Sequence, residues 1–329
     1  MPDAMCLFAP SESRPFGRAV ATALGTELDA HHERTFADGE HEMRPEVNVR
    51  GRDVFVIQSL YADEEWSVND KLCRLLFLLG ALRDASAKRV TAVVPYLCYQ
   101  RKDRKTKPRG PVTTRYVAGM CEAVGVDRVL TMEVHNLAAL QNAFRVRTEH
   151  LEARPLFVRQ LSEKLTDERV VVVSPDEGGV KRAAKFADGL GTATGRDVPT
   201  AFVEKIRTGG EAVQGGTLVG GVDDRVALVV DDLVSTGGTI TQAAAACAEE
   251  GARAVWGVVT HGLFVGEADE RIADSALDAL YVTNTIRPNR LTGEAAARLA
   301  VCDAAPRFAA AIEAIHTEAS VSALNEVRK

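Results

Sequence analysis

None of the six cysteines forms a CxxC pair or joins a Cys/His cluster. That argues against a zinc site, and scattered thiols of this kind belong to a reducing compartment. Positive charge is not in excess either. Lys and Arg total 40 against 46 Asp and Glu, a formal net charge of −6, which disfavours general binding to nucleic acid or to anionic membranes. No apolar run approaches the length of a membrane helix. The first residues, MPDAMCLFAPSESRPFG, lack the basic stretch and long apolar core of a secretory signal. The cytoplasm is therefore the expected location. No low-complexity tail is evident.

What is present is a chain of 329 residues, 46% of them hydrophobic, enough for two globular domains with cores of their own. Strand-like runs alternate with helical patterns. Residues 53–57, 90–95, 129–132, 170–174, 226–230 and 254–260 read as strands; 70–85, 113–124, 178–189 and 240–250 read as helices. Such alternation predicts an α/β fold with mostly parallel sheets. Leu72, Leu75, Leu76, Leu79 and Leu82 recur at helical spacing, so one face of that helix is buried. A faint repeat relates RVLTMEVHNLAALQNAF (128–144) to RVALVVDDLVSTGGTITQAAA (225–245), and RVTAVVPYLCYQ (89–100) to RVVVVSPDEGGV (169–180). Two related halves are expected, 1–150 and 151–329. TGGEAVQGGTLVGG (208–221) carries six glycines and one acid, a composition expected to form a mobile loop. Residues 293–315 read as a closing helical region broken at Pro306.

The richest stretch is VALVVDDLVSTGGT (226–239). A buried strand ends in Asp231 and Asp232, and the chain turns through Ser235, Thr236, Gly237, Gly238 and Thr239 into an alanine-rich helix. The glycines let backbone approach a phosphate, and the loop N–H groups and helix start present positive partial charge. Thr236 and Thr239 add hydroxyl donors. Two acids would repel a phosphate they touched, so they are expected to accept hydrogen bonds from the hydroxyls of a sugar that carries it. The loop lacks the lysine of GxxxxGK[ST] and the GxGxxG spacing, so it is not a nucleotide P-loop.

Other stretches carry complementary chemistry. In FADGE (36–40), Phe36 offers a flat face and Asp38 and Glu40 offer acceptors, a set that suits a purine nucleoside or a plain turn. YQRKDRKTKPRG (99–110) gathers Arg101, Lys102 and four further cations around Asp103 just past a strand, as in a triphosphate clamp or an inter-subunit ion-pair patch. His135, beside Glu133 at another strand end, suits a metal, a phosphate or a simple hydrogen bond. Asp176 in SPDEGG suits magnesium, sugar hydroxyls or a helix cap. Lys205 and Arg207 are two apart, so on an extended segment they face one side, where they could stabilise charge on a transferred phosphoryl group.

In this order, FADGE, NVRGRDVFVIQS, NDKL, AKRVTAVVPY, QRKDRK, DRVLTMEVH, VVVSPDEGG, K-x-R and VVDDLVSTGGT resemble the ribose-phosphate diphosphokinase (phosphoribosyl pyrophosphate synthetase) family from about residue 34 to about residue 287. An ordinary phosphoribosyltransferase shares the last loop but not the N-terminal half. The resemblance implies two type I phosphoribosyltransferase-like α/β domains and the use of ATP, ribose 5-phosphate and Mg2+. It further implies a homo-oligomer, dimer-based and up to a hexamer, with no nucleic-acid or membrane partner. It assigns ATP to Phe36, Asp38, Glu40, Arg101, Lys102, Asp103 and His135, with Glu40 reaching from a neighbouring subunit. It assigns metal to His135 and Asp176 and catalysis to Lys205 and Arg207 on a flexible loop. Ribose 5-phosphate falls to Asp231, Asp232 and Ser235–Thr239. Lys102 stands where the family commonly has Gln, Glu133 where Asp is common and Ser235 where an acid is frequent. The stretch NLAALQNAF follows His135 in place of a Gln-Gly-Phe type segment. These departures mark a divergent branch. They keep two other readings open: a catalytically silent regulatory relative, and a phosphoribosyltransferase that acts on a base.

Overall fold

The computed structural model describes residues 5–208 and 211–327, and the side chains of 205–216 lie outside that description. The chain divides into two compact units. The first holds residues 1–152 and takes back 305–324; the second holds 153–304 and the last few residues.

In the first unit, β1 (Met5–Phe8) leads through α1 (Arg14–Ala23) to an antiparallel hairpin, β2 (His31–Thr35) and β3 (His41–Pro45). The chain then runs β4 (Asp53–Ile57), α2 (Val68–Asp84), β5 (Arg89–Val94), α3 (Thr113–Ala123), β6 (Arg128–Met132), α4 (Leu137–Ala143) and β7 (Arg147–Leu151). The five main strands form one parallel sheet in the order β1-β4-β5-β6-β7. β4 reads DVFVI and is buried at every position, as a strand covered on both faces must be. α2 starts at a capping box: Ser67 Oγ accepts from the Asp70 N–H, and the Asp70 carboxylate accepts from the Ser67 N–H. Its leucines pack on alternate residues of the sheet, Val54 and Val56 of β4 and Val90, Ala92 and Val94 of β5.

The second unit runs α5 (Arg154–Ser162), β8 (Val170–Ser174), α6 (Val180–Thr194), β9 (Thr200–Thr208), β10 (Glu211–Val219), β11 (Val226–Val234) and α7 (Gly238–Glu249). β12 (Ala254–Gly262), α8 (Ala268–Ala273), β13 (Ala279–Thr283), α9 (Gly293–Ala297) and β14 (Leu299–Cys302) complete it. Seven strands lie in the order β10-β9-β8-β11-β12-β13-β14, all parallel except β10. The chain leaves β8 through α6 toward one edge and leaves β11 through α7 toward the other. The neighbours β8 and β11 therefore flank a point where the winding reverses, and in open α/β sheets the crevice beyond the strand ends at such a point is where ligands bind.

Four details depart from the sequence reading. β11 does not stop at Val230 but runs through both acids to Val234, because β12 continues to pair with it while β8 pairs only as far as Val229. The glycine-rich stretch is not a free loop: from Glu211 to Val219 it pairs antiparallel with β9, which supplies the ladder its composition cannot, and the register shifts between Ala212 and Gly216. Residues 293–315 are two helices around a short strand. Pro306 breaks neither helix, since it sits in the first turn of α10 (Ala305–His316), where the missing N–H is not needed.

The fourth departure is the place of α10. The split at 150 assigns it to the second half, but it packs in the first unit. Its apolar residues Phe308, Ile312 and Ile315 are buried, Phe308 meets Phe16 of α1 edge-to-face at 5.5 Å, and His316 Nδ1 lies 2.8 Å from Asp53 Oδ2. Asp53 is buried at the start of β4 and also accepts from Arg89 Nε at 3.1 Å. His316→Ala is expected to lower stability by about 1–3 kcal/mol, because a buried carboxylate loses one of its partners. A urea midpoint equal to that of the parent would contradict this.

Candidate active site

The second unit gathers the acids, the glycines and an arginine at its winding reversal. β8 ends at Ser174, whose Oγ donates to the Asp176 carbonyl at 2.6 Å. Asp176 Oδ1 accepts from the Gly179 N–H at 3.1 Å, closing a short turn ahead of α6. A side chain at Gly179 is ruled out by space: a Cβ there would stand 2.5 Å from Ser174 Oγ. This tight turn starts α6 in a fixed phase and sends Arg182 across to β11. Its Nη1 lies 2.9 Å from Asp231 Oδ1 and its Nη2 3.4 Å from Asp232 Oδ1. The Asp232 N–H donates to Asp231 Oδ1 at 2.8 Å. Burial, then the charge of Asp232, pushes the Asp231 carboxyl up to about 8, with Arg182 opposing. One guanidinium thus faces two adjacent carboxyls, a surface able to accept hydrogen bonds from sugar hydroxyls.

Beyond β11 the loop is braced from outside. The Leu263 N–H donates to the Val234 carbonyl and the Val265 N–H to the Ser235 carbonyl, each at 2.9 Å. Gly237 takes φ +83°, a left-handed conformation that favours glycine, and it is the N-cap of α7. No side chain caps that helix and its first turn carries no acid. Its first N–H groups have no intrahelical acceptor, and together with the helix dipole they favour an anion. Thr241 turns its hydroxyl back to the Gly237 carbonyl at 3.1 Å. Arg271 of α8 fills the space a side chain at Gly238 would need, its Nη1 3.0 Å from that Cβ position. Its Nη2 pairs with Glu267 Oε2 at 2.6 Å.

Lys205 and Arg207 lie on β9, opposite Gly216 and Ala212 of β10 in register. Both are past Ser174, the last residue of β8 that pairs with β9. Their side chains lie outside the described residues.

In the first unit, three loops leave the carboxyl ends of adjacent strands. The basic loop after β5 is pinned where it begins. Tyr99 has φ +58° and its hydroxyl donates to Asn69 Oδ1 at 2.5 Å. The Thr114 hydroxyl donates to the Tyr99 carbonyl at 2.9 Å. Arg101 and Lys102 are exposed on that loop. Asp103 accepts from Asn136 Nδ2 at 2.8 Å, and Gln100 Oε1 accepts from the His135 N–H at 2.7 Å. The cationic loop and His135 are thus brought together. Glu133, two residues before His135, is held at φ +40°, a strained conformation of the kind that clusters at functional sites.

FADGE forms the tip of the β2–β3 hairpin. Gly39 takes φ +91°, the Glu40 N–H donates to Asp38 Oδ1 at 3.1 Å, and both carboxylates are exposed. Phe36 is 36% exposed, with the Arg34 guanidinium 4.5 Å from its ring centroid. The hairpin is anchored by buried charge. Arg74 of α2 is bonded to Glu12 and to Glu33 of β2, and stacks 4.4 Å from the Trp66 ring. Burial alone would raise Glu33, but hydrogen bonds from His31 and Ser11, with the charge of Arg74, hold it down to about 2.

Sequence reasoning missed Arg182, Arg271, Gln100 and Asn136. Arg182 and Gln100 stood inside stretches already singled out. Only the phase of α6 tells Arg182 from Lys181, and only the β5 and β6 loops standing side by side show what Gln100 touches.

Comparison with known proteins gives the family. Residues 5–125 match the N-terminal domain of ribose phosphate pyrophosphokinase, and residues 212–326 match the phosphoribosyl synthetase-associated domain. The chain is 39% identical over 320 residues to a ribose-phosphate pyrophosphokinase of Hyphomonas neptunium, covering 97% of this chain and 99% of that one. It is 38% identical to another from Clostridium tetani, covering 97% and 96%. The crystal structure of phosphoribosylpyrophosphate synthetase from Mycobacterium smegmatis superposes with a TM-score of 0.86 at 34% identity, covering 95% of this chain and 99% of that one. The chain belongs to the ribose-phosphate pyrophosphokinase family. It is an enzyme of the pyrophosphoryl-transfer class, with the α/β architecture expected from its sequence.

Proposed function

We propose that this chain transfers the pyrophosphoryl group of ATP to the C1 hydroxyl of ribose 5-phosphate, giving phosphoribosyl pyrophosphate and AMP. The observation that carries the reading is the crevice between β8 and β11. There a carboxyl pair bridged by Arg182 stands next to an uncapped helix start behind Gly237 and Gly238. The 5-phosphate goes to the N–H groups and hydroxyls of Ser235–Thr239, and the ribose hydroxyls go to Asp231 and Asp232. ATP is held in the first unit, with its base and ribose at Phe36, Asp38 and Glu40. Arg101, Lys102 and His135 take its phosphates, and Asp103 braces the loop that carries them. Glu40 of one subunit serves a neighbour's nucleotide in a homo-oligomer. The protein works in the cytoplasm; among the described residues no helix is long and apolar enough to cross a membrane.

Magnesium is the expected metal. Asp176 offers the hard oxygen that magnesium prefers, while His135 offers a nitrogen it takes less readily. Among the described residues no group of three or more His, Cys, Asp or Glu could hold an ion alone. His135 would therefore help hold a magnesium carried by the triphosphate, and Asp176 a second ion or the ribose, each with water and substrate oxygens completing the shell. When bound, the ion neutralises triphosphate charge. The chain's own contribution is positioning and electrostatics: the loop aims the C1 hydroxyl at the β-phosphorus in line, and Lys205 and Arg207 stabilise the charge that develops as AMP departs.

Purified protein with magnesium, ATP and ribose 5-phosphate should release AMP. Nucleotide binding without AMP would favour a silent regulatory relative, and pyrophosphate release only on adding phosphoribosyl pyrophosphate and a base would favour a transferase. Lys205→Ala is expected to lower kcat by about 10²–10³ while KM for ATP changes little, since its charge acts mainly in the transition state. An increase in KM with kcat intact would remove that role.

A further inference from the structure

Gln100 is buried at 4% exposure between the cationic loop and the His135 turn. Its amide orientation is fixed by chemistry: the His135 N–H is a donor, so the atom 2.7 Å from it must be Oε1. Nε2 is then a buried donor with no acceptor among the described residues. A second bond runs parallel, Asn136 Nδ2 to Asp103 Oδ2 at 2.8 Å, from a residue whose Oδ1 also caps α4 by accepting from the Ala139 N–H at 3.1 Å. In the chain Arg101 and Lys102 lie between Gln100 and Asp103, and His135 and Asn136 are neighbours on the other side of the two bridges. His135 itself is exposed on a turn that contains the strained Glu133, and the Gln100 side chain holds its backbone N–H.

We propose that Gln100 is a positioning residue: its buried amide locks the His135 backbone to the cationic loop, and the Asn136–Asp103 bridge completes the lock, so that imidazole and cations meet the triphosphate as one unit. This rests on the reading of His135 as a triphosphate ligand. Gln100 touches no substrate; it acts through His135. Such a role removes conformational freedom before the nucleotide arrives, and its loss shows in turnover more than in nucleotide affinity.

A double-mutant cycle tests it. Gln100→Met keeps the volume and removes the acceptor; it should lower kcat roughly 10-fold or more, with KM for ATP nearly unchanged. His135→Ala should lower kcat at least as far, and the double variant should be no worse than His135→Ala alone. Gln100→Glu keeps an acceptor for the His135 N–H and should recover most of the loss. Asn136→Asp keeps the cap of α4 but removes the donor to Asp103, and should lower kcat in the same direction. It also serves as the second probe if Gln100→Met fails to fold. Effects of Gln100→Met and His135→Ala that multiply, or a Gln100→Met enzyme with parental kcat, would overturn the inference while leaving His135 in place. A His135→Ala enzyme with parental constants would overturn both the His135 assignment and the inference.

Discussion

Asp231→Asn is expected to make the ligand-free protein more stable above about pH 8 and at the same time to remove most of its use of ribose 5-phosphate. In the folded chain the Asp231 carboxyl is pushed up to about 8 by burial and by Asp232, whereas in the unfolded chain it titrates near ~4. A carboxyl raised by folding contributes its full stability below the unfolded value and loses it as pH rises through the folded value. At higher pH the fold must therefore hold two adjacent carboxylates against one guanidinium. An amide at 231 lifts that burden, keeps an oxygen for the Asp232 N–H, and should gain on the order of 1 kcal/mol at about pH 9. The sugar hydroxyls lose one of the two carboxyl acceptors, which costs about 1.5 kcal/mol, or roughly 10-fold in kcat/KM for ribose 5-phosphate. The converse change, Arg182→Met, strands both carboxylates and should destabilise by about 3–5 kcal/mol. Melting curves at two pH values and ribose 5-phosphate titrations of both variants decide the matter. An Asp231→Asn protein with lower stability at high pH would show that the pair is not under repulsion.

A chain ended after Ala304 is expected to lose the cooperative fold of its first unit, although residues 1–152 remain intact. Phe308, Ile312 and Ile315 of α10 are buried in that unit. At about 1.5–3 kcal/mol for each buried side chain, their removal costs roughly 5–9 kcal/mol, comparable with the 5–15 kcal/mol that typically holds a whole domain. The Asp53 carboxylate loses His316 as well. Limited proteolysis should cut the truncated chain first within residues 5–152. Protection there equal to that of the full chain would refute the role of α10.

Much of the site was legible because its chemistry is contiguous. Asp231, Asp232 and the Thr-Gly-Gly-Thr turn lie within nine residues, and paired acids on a strand that turns through glycines into a helix have few other uses. The parallel sheets were equally legible, since runs such as VVVV (170–173) and DVFVI (53–57) suit strands covered on both faces. The extent of β11 was not. Its two acids break the apolar pattern, yet β12 pairs with Asp231 and again with Leu233 and Val234 beyond them, and pairing across strands leaves no mark in local composition. The same holds for β10, whose glycines suggest a loop until β9 lies beside them.

The sequence by itself determined the family, the α/β class and the stretches in which acids, hydroxyls and glycines are gathered. All of these follow from side-chain chemistry at short spacing. Tertiary structure decided which partner each charge received: Arg182 for the acid pair, Gln100 for the His135 backbone, Asp53 for His316 and, through α10, which unit the chain's end completes. Those choices join residues 35 to 263 positions apart. They depend on helix phase and on which strands become neighbours, which no local pattern encodes.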